Sequence, residues 1–297
     1  MEGVQFEPMS VGRIIDRTFT IYRNNFLRFV TIVAIIQVPV TLLSLVSSSF
    51  LLAGVPAHQQ VAPEFSDDTT TSFETENETR PRVMREDFAS PSLAIVGCLG
   101  TVLSGLLAMV GAMLCQAALT KSVSETYLGR ELSVGQAYKA ILPRFLSLLG
   151  ASFLVGLVVW LGFLLLIVPG VIFALWLFLT TPSIVVENHR AIQGMSRSKA
   201  LISGNLGKAL AVAFVAGLIG FAINMPTSYL GVLIATLLGP DNIVLSTAVS
   251  RCIGVVGQIL ATPIGAAASI LLYYDLRIRK EGFDLQMLAQ SAGYDRG

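Results

Sequence analysis

The sequence predicts an all-α, polytopic membrane protein with six transmembrane helices. Hydrophobic residues make up 54% of its 297 residues and charged residues only 13%, whereas charged residues account for about 25% of an average soluble domain. The charges are also missing from five continuous stretches: residues 29–63, 88–120, 145–186, 209–240 and 252–274. Each stretch is longer than the about 20 apolar residues that one helix needs to cross the hydrocarbon core.

The third stretch is long enough for two helices. As a single helix, residues 145–186 would extend about 63 Å, which is more than tilting accommodates in a bilayer. The dipeptide Pro169-Gly170 inside it is typical of a turn. We therefore predict a helical hairpin of residues 145–168 and 171–186, which brings the number of spans to six.

The distribution of basic residues predicts the orientation of these spans. Of the 20 Lys and Arg residues, 16 lie in the N-terminal segment, in the connections 120–144 and 187–208, and in the C-terminal tail. Six spans place these four segments on one side of the membrane, and Lys and Arg accumulate on the cytoplasmic side. We expect both termini in the cytoplasm. The acidic, Thr-rich segment 54–90 then lies outside, and its composition predicts disorder.

A short segment recurs ahead of three pairs of predicted spans. The tripeptide Ser10-Val11-Gly12 returns as Ser133-Val134-Gly135, and residues 16–28 align with residues 196–208. This second alignment places Arg17 on Arg197, Asn25 on Asn205, and Arg28 on Lys208.

Apolar residues in all three segments recur at steps of three and four, as an amphipathic helix requires. We predict one membrane domain, residues 1–297, built from three tandem helical hairpins that each follow a cytoplasmic amphipathic helix. The repeats cover residues 10–127, 133–188 and 191–280, and residues 281–297 form a cytoplasmic tail.

The juxtamembrane segments supply candidate structural or lipid-headgroup contacts. Their basic faces suit anionic lipid, at about 1 kcal/mol per Lys or Arg, although packing against the rest of the protein would satisfy such helices equally well. Each repeat also ends with a carboxylate close to a base. The favoured interpretation is that these acids are charges at the membrane edge, of the kind that any helix end carries; the alternative predicts that each acid pairs with an Arg or Lys of a neighbouring juxtamembrane helix. The candidates are Arg17, Arg28, Arg197, Lys208, Asn25, Asn205, Glu125, Glu187 and Asp275.

Few polar side chains lie within the apolar stretches. Amides in membrane helices usually form hydrogen bonds between helices, worth about 0.6–2 kcal/mol, and they can also line a polar pathway. Arg251 stands at the predicted outer edge of the last span, where its side chain can extend outward. The intramembrane candidates are Gln37, Gln116, Asn224, Gln258 and Arg251.

The sequence contains no motif for catalysis, metal binding or a cofactor. The two histidines, His58 and His189, fit no zinc-binding or nucleophile spacing. The three cysteines lie singly within apolar stretches, without the paired spacing of a metal site or a disulfide. We therefore predict a protein that is not an enzyme, has no catalytic, cofactor or metal site, and does not bind nucleic acid.

Three stretches resemble a prokaryotic membrane family. They are "FEPMSVGRIIDRTFTIYRNNF" (6–26), "VENHRAIQGMSRSKALISGNLGKAL" (186–210) and "YYDLRIRKEGFDL" (273–285). The family is the glycerophosphoryl diester phosphodiesterase membrane domain, together with related six-span proteins of uncharacterised function. In its namesakes the chemistry belongs to a separate soluble barrel, and nothing in this sequence resembles that barrel. The resemblance implies a protein of the prokaryotic plasma (inner) membrane and carries no activity.

We expect an integral membrane protein that acts as a non-enzymatic scaffold, assembly or lipid-interacting component. Its expected partners are membrane lipids with anionic headgroups on the cytoplasmic side, and a protein partner is a further candidate. The alternative is a transporter or channel for a lipid-like or small amphiphilic substrate. Ionisable side chains facing the interior at mid-depth would favour transport, an uninterrupted apolar interior would favour a scaffold, and a His–carboxylate or Ser–His pair within about 3 Å would favour catalysis.

Overall fold

The computed structural model describes residues 9–53, 91–239 and 243–281, and every regular element in these ranges is helical. The acidic segment 54–90 and the tail 282–297 lie outside the described residues. The helices are α1 (Val11–Asn24), α2 (Phe26–Ala53), α3 (Pro91–Tyr127), α4 (Val134–Ile141), α5 (Phe145–Leu165), α6 (Ile167–Leu177), α7 (Thr180–Glu187), α8 (Ala191–Ile202), α9 (Leu206–Leu237) and α10 (Ile243–Glu281). A short 3₁₀ turn, Leu142–Arg144, joins α4 to α5.

Six stretches of the described chain are long and apolar enough to cross a membrane. The prediction of an all-α, multi-pass membrane protein is therefore confirmed. The stretches are Phe26–Phe50, Ile95–Tyr127, Val134–Leu165, Ile167–Glu187, Leu206–Leu237 and Ile243–Glu281.

Three short helices, α1, α4 and α8, begin in the same way. The residue before each helix is extended: Ser10 has φ −73° and ψ 163°, Ser133 has φ −73° and ψ 157°, and Arg190 has φ −75° and ψ 164°. The two serine hydroxyls accept hydrogen bonds from backbone N–H groups of the first turn, at 3.3 and 3.4 Å. Such caps fix where a helix starts. The distances in sequence between Ser10, Ser133 and Arg190 are the same as those that align the repeated segments.

Aligned asparagines separate the short helix from the long helix in the first and third repeats. Asn25 has φ −123° and ψ 26°, and Asn205 has φ −125° and ψ 25°. The backbone N–H of each asparagine donates a hydrogen bond to the last turn of the short helix. Asn25 donates to the Ile21 carbonyl at 3.2 Å, and Asn205 donates to the Ile202 carbonyl at 2.8 Å. The two asparagines that the predicted alignment pairs therefore have the same backbone conformation.

The turn in the third apolar stretch lies earlier than predicted. Leu166, with φ −166° and ψ 155°, ends α5, and α6 begins at the next residue. The predicted turn dipeptide Pro169-Gly170 therefore lies in the first turn of α6. Proline is tolerated there because an N–H group in the first turn has no partner within the helix.

The hairpin of α5 and α6 depends on two glycines that face each other. A Cβ atom on Gly162 would lie 2.7 Å from Cδ2 of Phe173 and 3.0 Å from Cα of Gly170, and one on Gly170 would lie 2.6 Å from Cγ of Phe163. Real Cβ atoms do not approach other atoms this closely. The short connection at Leu166 is possible only because neither position carries a side chain.

The described residues fall into two compact units. Residues 42–53 of α2 and 91–106 of α3 form one, and the described residues of 9–41 and 107–281 form the other. In the larger unit, every residue of α10 from 266 to 276 is buried, and α10 contacts α1, α7, α8 and α9. A helix that is surrounded by other helices can be apolar on all faces, and α10 is therefore the centre of this unit.

We predict that Gly162→Ala destabilises the protein by about 1–3 kcal/mol, the usual cost of inserting a methyl group into a packed contact. Gly156→Ala on the same helix is the matched control, because a Cβ at Gly156 has no atom within 4 Å. It should leave stability unchanged or raise it by about 0.5–1 kcal/mol. Thermal unfolding of the detergent-purified protein measures both, and equal midpoints for the two variants would contradict the glycine contact.

Candidate functional site

One buried carboxylate joins three parts of the chain. Asp275 of α10 has no solvent exposure, and its Oδ1 accepts a hydrogen bond from the Met9 N–H at 2.6 Å. Lys208, in the first turn of α9, pairs with Oδ2, and Arg279 Nε donates to Oδ2 at 3.2 Å. The carbonyl oxygen of Met9 accepts from Lys208 at 2.6 Å and from Arg279 at 3.0 Å. We call Met9, Lys208, Asp275 and Arg279 the Asp275 cluster.

A second ion-pair group surrounds Glu187 at the end of α7. Its carboxylate accepts hydrogen bonds from Arg197 of α8 at 2.8 and 2.9 Å and from the Tyr273 hydroxyl at 2.5 Å. Arg197 also donates to Glu281 at 2.7 Å. The hydrogen bonds to Glu281 and then to Glu187 raise the pKa of Arg197, so this guanidinium is a permanent cation that holds α7, α8 and α10 together.

The predicted acid–base pairing between repeats is found for one carboxylate of three. Glu187, at the end of the second repeat, pairs with Arg197 in the juxtamembrane helix of the third. Asp275 reaches the segment before α1 only through the backbone of Met9, and its lysine belongs to its own repeat.

For Glu125 the prediction is wrong. Its carboxylate accepts from Lys121 at 2.7 Å and lies 3.7 Å from the Arg130 guanidinium. Lys121 stands one turn earlier on the same helix, and a cation at this spacing satisfies the carboxylate locally.

The remaining basic candidates lie near the α1–α2 junction. The Arg17 guanidinium is 5.9 Å from the ring centroid of Tyr127 at the end of α3. Arg28 Nη2 lies 3.5 Å from the exposed carboxylate of Glu131. The other terminal nitrogen, Nη1, is buried and has no hydrogen-bond partner among the described residues. An unpaired buried guanidinium nitrogen is costly.

An open groove lies beside this arginine. Its first part, of about 560 Å³, is lined by Phe19, Thr20, Tyr22, Arg23 and Phe26, and its second part, of about 410 Å³, runs from Arg23 to Arg28. We call residues 19–28 that line it the aromatic–arginine groove. Phe19 and Phe26 are 43% and 39% exposed, although both are large apolar side chains. The Tyr22 hydroxyl donates to the Leu260 carbonyl at 3.1 Å, which holds the groove against α10, and burial raises the pKa of Tyr22.

Three of the four intramembrane amides line one open cavity, and the fourth, Gln37, is hydrogen-bonded to one of them. Gln116 of α3, Asn224 of α9 and Gln258 of α10 line a cavity of about 560 Å³, and Gln37 of α2 donates to Gln258 at 3.4 Å. We call this the amide cavity. Arg251 is exposed on α10 and does not line it. Apart from Phe178 and Thr262, the rest of the lining consists of small residues of α9 and α10: Ala213, Ala216, Gly217, Gly220, Ala261 and Gly265.

Several contacts at these sites involve residues that were not among the sequence candidates. Tyr273 and Tyr274 lie in the last apolar stretch, and their hydroxyls are hydrogen-bonded to Glu187 and Ser124. The Ser198 hydroxyl accepts a hydrogen bond from the Leu179 N–H and donates one to the Trp176 carbonyl. These two bonds provide partners for backbone groups at the break between α6 and α7. A tyrosine or serine in an apolar stretch signals that its hydroxyl has a hydrogen-bond partner. The sequence pattern does not identify that partner, because it is distant in sequence.

Among the described residues, one His–carboxylate pair lies at a distance that general base catalysis uses. His189 Nε2 lies 2.7 Å from Glu187. However, the same carboxylate is engaged by Arg197 and Tyr273, and the pair lines neither the groove nor the amide cavity. In the described part of the chain, no cluster of His, Cys, Asp and Glu could hold a metal ion.

Comparisons with protein-family models, with curated proteins and with solved structures find no match to this chain.

We predict that Asp275→Asn lowers the free energy of unfolding by about 3–5 kcal/mol, because it leaves the Lys208 ammonium unpaired in a buried site. The double variant Asp275→Asn/Lys208→Met removes both charges and should recover part of this loss. Arg190→Gln is the control, since Arg190 is exposed and its side chain has no described partner. Denaturant unfolding in mixed micelles measures all three, and a double variant less stable than Asp275→Asn would contradict the pairing.

Proposed function

We propose that the protein is a non-enzymatic, lipid-interacting component of a prokaryotic plasma membrane, and that the aromatic–arginine groove binds the headgroup of an anionic lipid. The observation that carries this proposal is the state of Arg28, whose Nη1 is buried without a partner in the described chain. A phosphate oxygen in the groove would supply the missing acceptor, in the charge-assisted geometry that arginine prefers.

The chemistry of the groove supports a lipid in particular. Arg23 lies between the exposed rings of Phe19 and Phe26. Basic residues interleaved with exposed aromatic and aliphatic side chains are typical of helices that lie in the headgroup layer. Leu27, which follows Phe26, is 77% exposed and would contact acyl chains in a bilayer. A soluble anion would explain the arginines but not these apolar surfaces.

The distribution of charge supports the proposed orientation. Of the 20 Lys and Arg residues, 16 lie in the segments that contain α1, α4 and α8 or follow residue 275, as expected for the cytoplasmic side. The cytoplasmic leaflet is also the one rich in anionic lipid. A cytoplasmic position for the groove therefore places its arginines beside their proposed ligand.

The two carboxylates at the centre of the ion-pair clusters are engaged in structural contacts, which supports a non-enzymatic role. Asp275 and Glu187 are held by cations and by hydrogen-bond donors. The cavity that favours the second candidate, a transporter for a small amphiphile, is lined by amides and carries no ionisable side chain among the residues that line it.

We predict that Arg23→Gln/Arg28→Gln weakens binding of phosphatidylglycerol by about 30-fold, at about 1 kcal/mol for each lost cation. Binding of phosphatidylcholine should not change. Native mass spectrometry of the protein with each lipid added measures the two affinities.

The matched control is Lys139→Gln/Arg190→Gln. It removes the same charge from exposed positions at α4 and α8, outside the groove. If this control lost as much phosphatidylglycerol affinity as the groove variant, the attraction would depend only on net charge and the groove would not be a binding site.

A further inference from the structure

We propose that the amide cavity is a second ligand site, which binds an amphiphile with an uncharged headgroup that both donates and accepts hydrogen bonds. This site is separate from the aromatic–arginine groove, and the two share no lining residue. The inference therefore does not depend on anionic lipid binding at the groove.

The first argument is that the amides lack partners. Among the described residues, the Gln116 side chain has no hydrogen bond, Asn224 uses only its amide nitrogen, towards the Gly220 carbonyl at 2.9 Å, and Gln258 accepts one long bond from Gln37. All four lie in candidate membrane spans, where water does not replace a missing partner. Three of these amides, Gln116, Asn224 and Gln258, line the cavity.

The second argument is the spacing of α9 and α10. The two helices are in close contact at two glycines. A Cβ added to Gly231 would be 2.9 Å from the carbonyl oxygen of Ser250, and Gly257 lies directly against Thr227. At the cavity the helices separate, and a Cβ added to Gly217, Gly220 or Gly265 would meet no atom within 4 Å. Small residues in membrane helices normally allow close helix contact. These three glycines make no such contact, and they leave volume instead.

The third argument concerns the charge and size of the ligand. The lining provides amides and a threonine but no ionisable side chain, so a charged headgroup at this depth of the membrane would find no counter-ion among the lining residues. An amide carries both donors and an acceptor, which suits hydroxyl and ester groups. The volume of about 560 Å³ is within the range of small-molecule sites. Along α9 the cavity extends over about 16 Å, from Ala213 to Asn224, and this elongated shape suits an alkyl tail.

Dioleoylglycerol is a suitable probe, because it has one hydroxyl, two esters and no charge, and dioleoylphosphatidic acid is its charged counterpart. We expect native mass spectrometry to detect one dioleoylglycerol per chain. The variant Gln116→Leu/Gln258→Leu should weaken this binding about tenfold through the loss of two amide interactions. Gly217→Leu/Gly220→Leu should abolish it by filling the cavity. Thermal unfolding identifies any variant that does not fold.

Gly156→Leu is the matched control, because Gly156 faces open space on α5, away from the cavity, and it should bind the probe as the native protein does. Three outcomes would overturn the proposal. They are no binding of dioleoylglycerol, equal binding by the cavity variants and the control, and a dimer of the native protein that Gln116→Leu/Gln258→Leu dissociates. The last outcome would assign the amides to contacts between two copies of the chain.

Discussion

The interaction on which the rest of the larger unit depends is the burial of the Asp275 carboxylate. A charge without solvent is stable only when donors surround it, and these donors come from positions 9, 208 and 279. The residue before α1, the first turn of α9 and the end of α10 must therefore meet at one point. The Glu187 group extends the same contact surface to α7 and α8 through Arg197. With their charged ends fixed in this way, the apolar parts of the helices pack around α10.

The repeated segments show how one arrangement serves different purposes. Asn25 and Asn205 have the same backbone conformation, and the aligned cations Arg28 and Lys208 follow them at the same distance in sequence. Lys208 is used within the protein, because it neutralises Asp275. Arg28 has only an exposed glutamate at 3.5 Å and keeps one nitrogen without a described partner. The same position is therefore structural in the third repeat, and in the first it is the one to which we assign a lipid headgroup.

The transmembrane helices were predictable because a bilayer imposes a simple requirement, about 20 residues without charge. The starts of α1 and α4 were predictable for a similarly local reason, since Ser10 and Ser133 cap their own helices. Interactions between distant residues were not predictable. The amides in separate stretches were expected to bond between helices or line a polar pathway, but the pattern did not show which of them would meet, and Glu125 took a partner one turn away instead of one in the next repeat. Leu166 carries no turn signal, and the turn forms there because Gly162 and Gly170 allow the helices to touch.

The central claim is that the charged ends of all three repeats lie together on the cytoplasmic side of the membrane. Single cysteines at Arg23, Lys139 and Arg190, in a background of Cys98→Ser, Cys115→Ala and Cys252→Ser, test it most directly when compared with a cysteine at Thr70 in the acidic segment. We predict that a membrane-impermeant maleimide labels position 70 in intact cells and labels the other three only after permeabilisation. Labelling of any of those three in intact cells to the same extent as position 70 would contradict the claim.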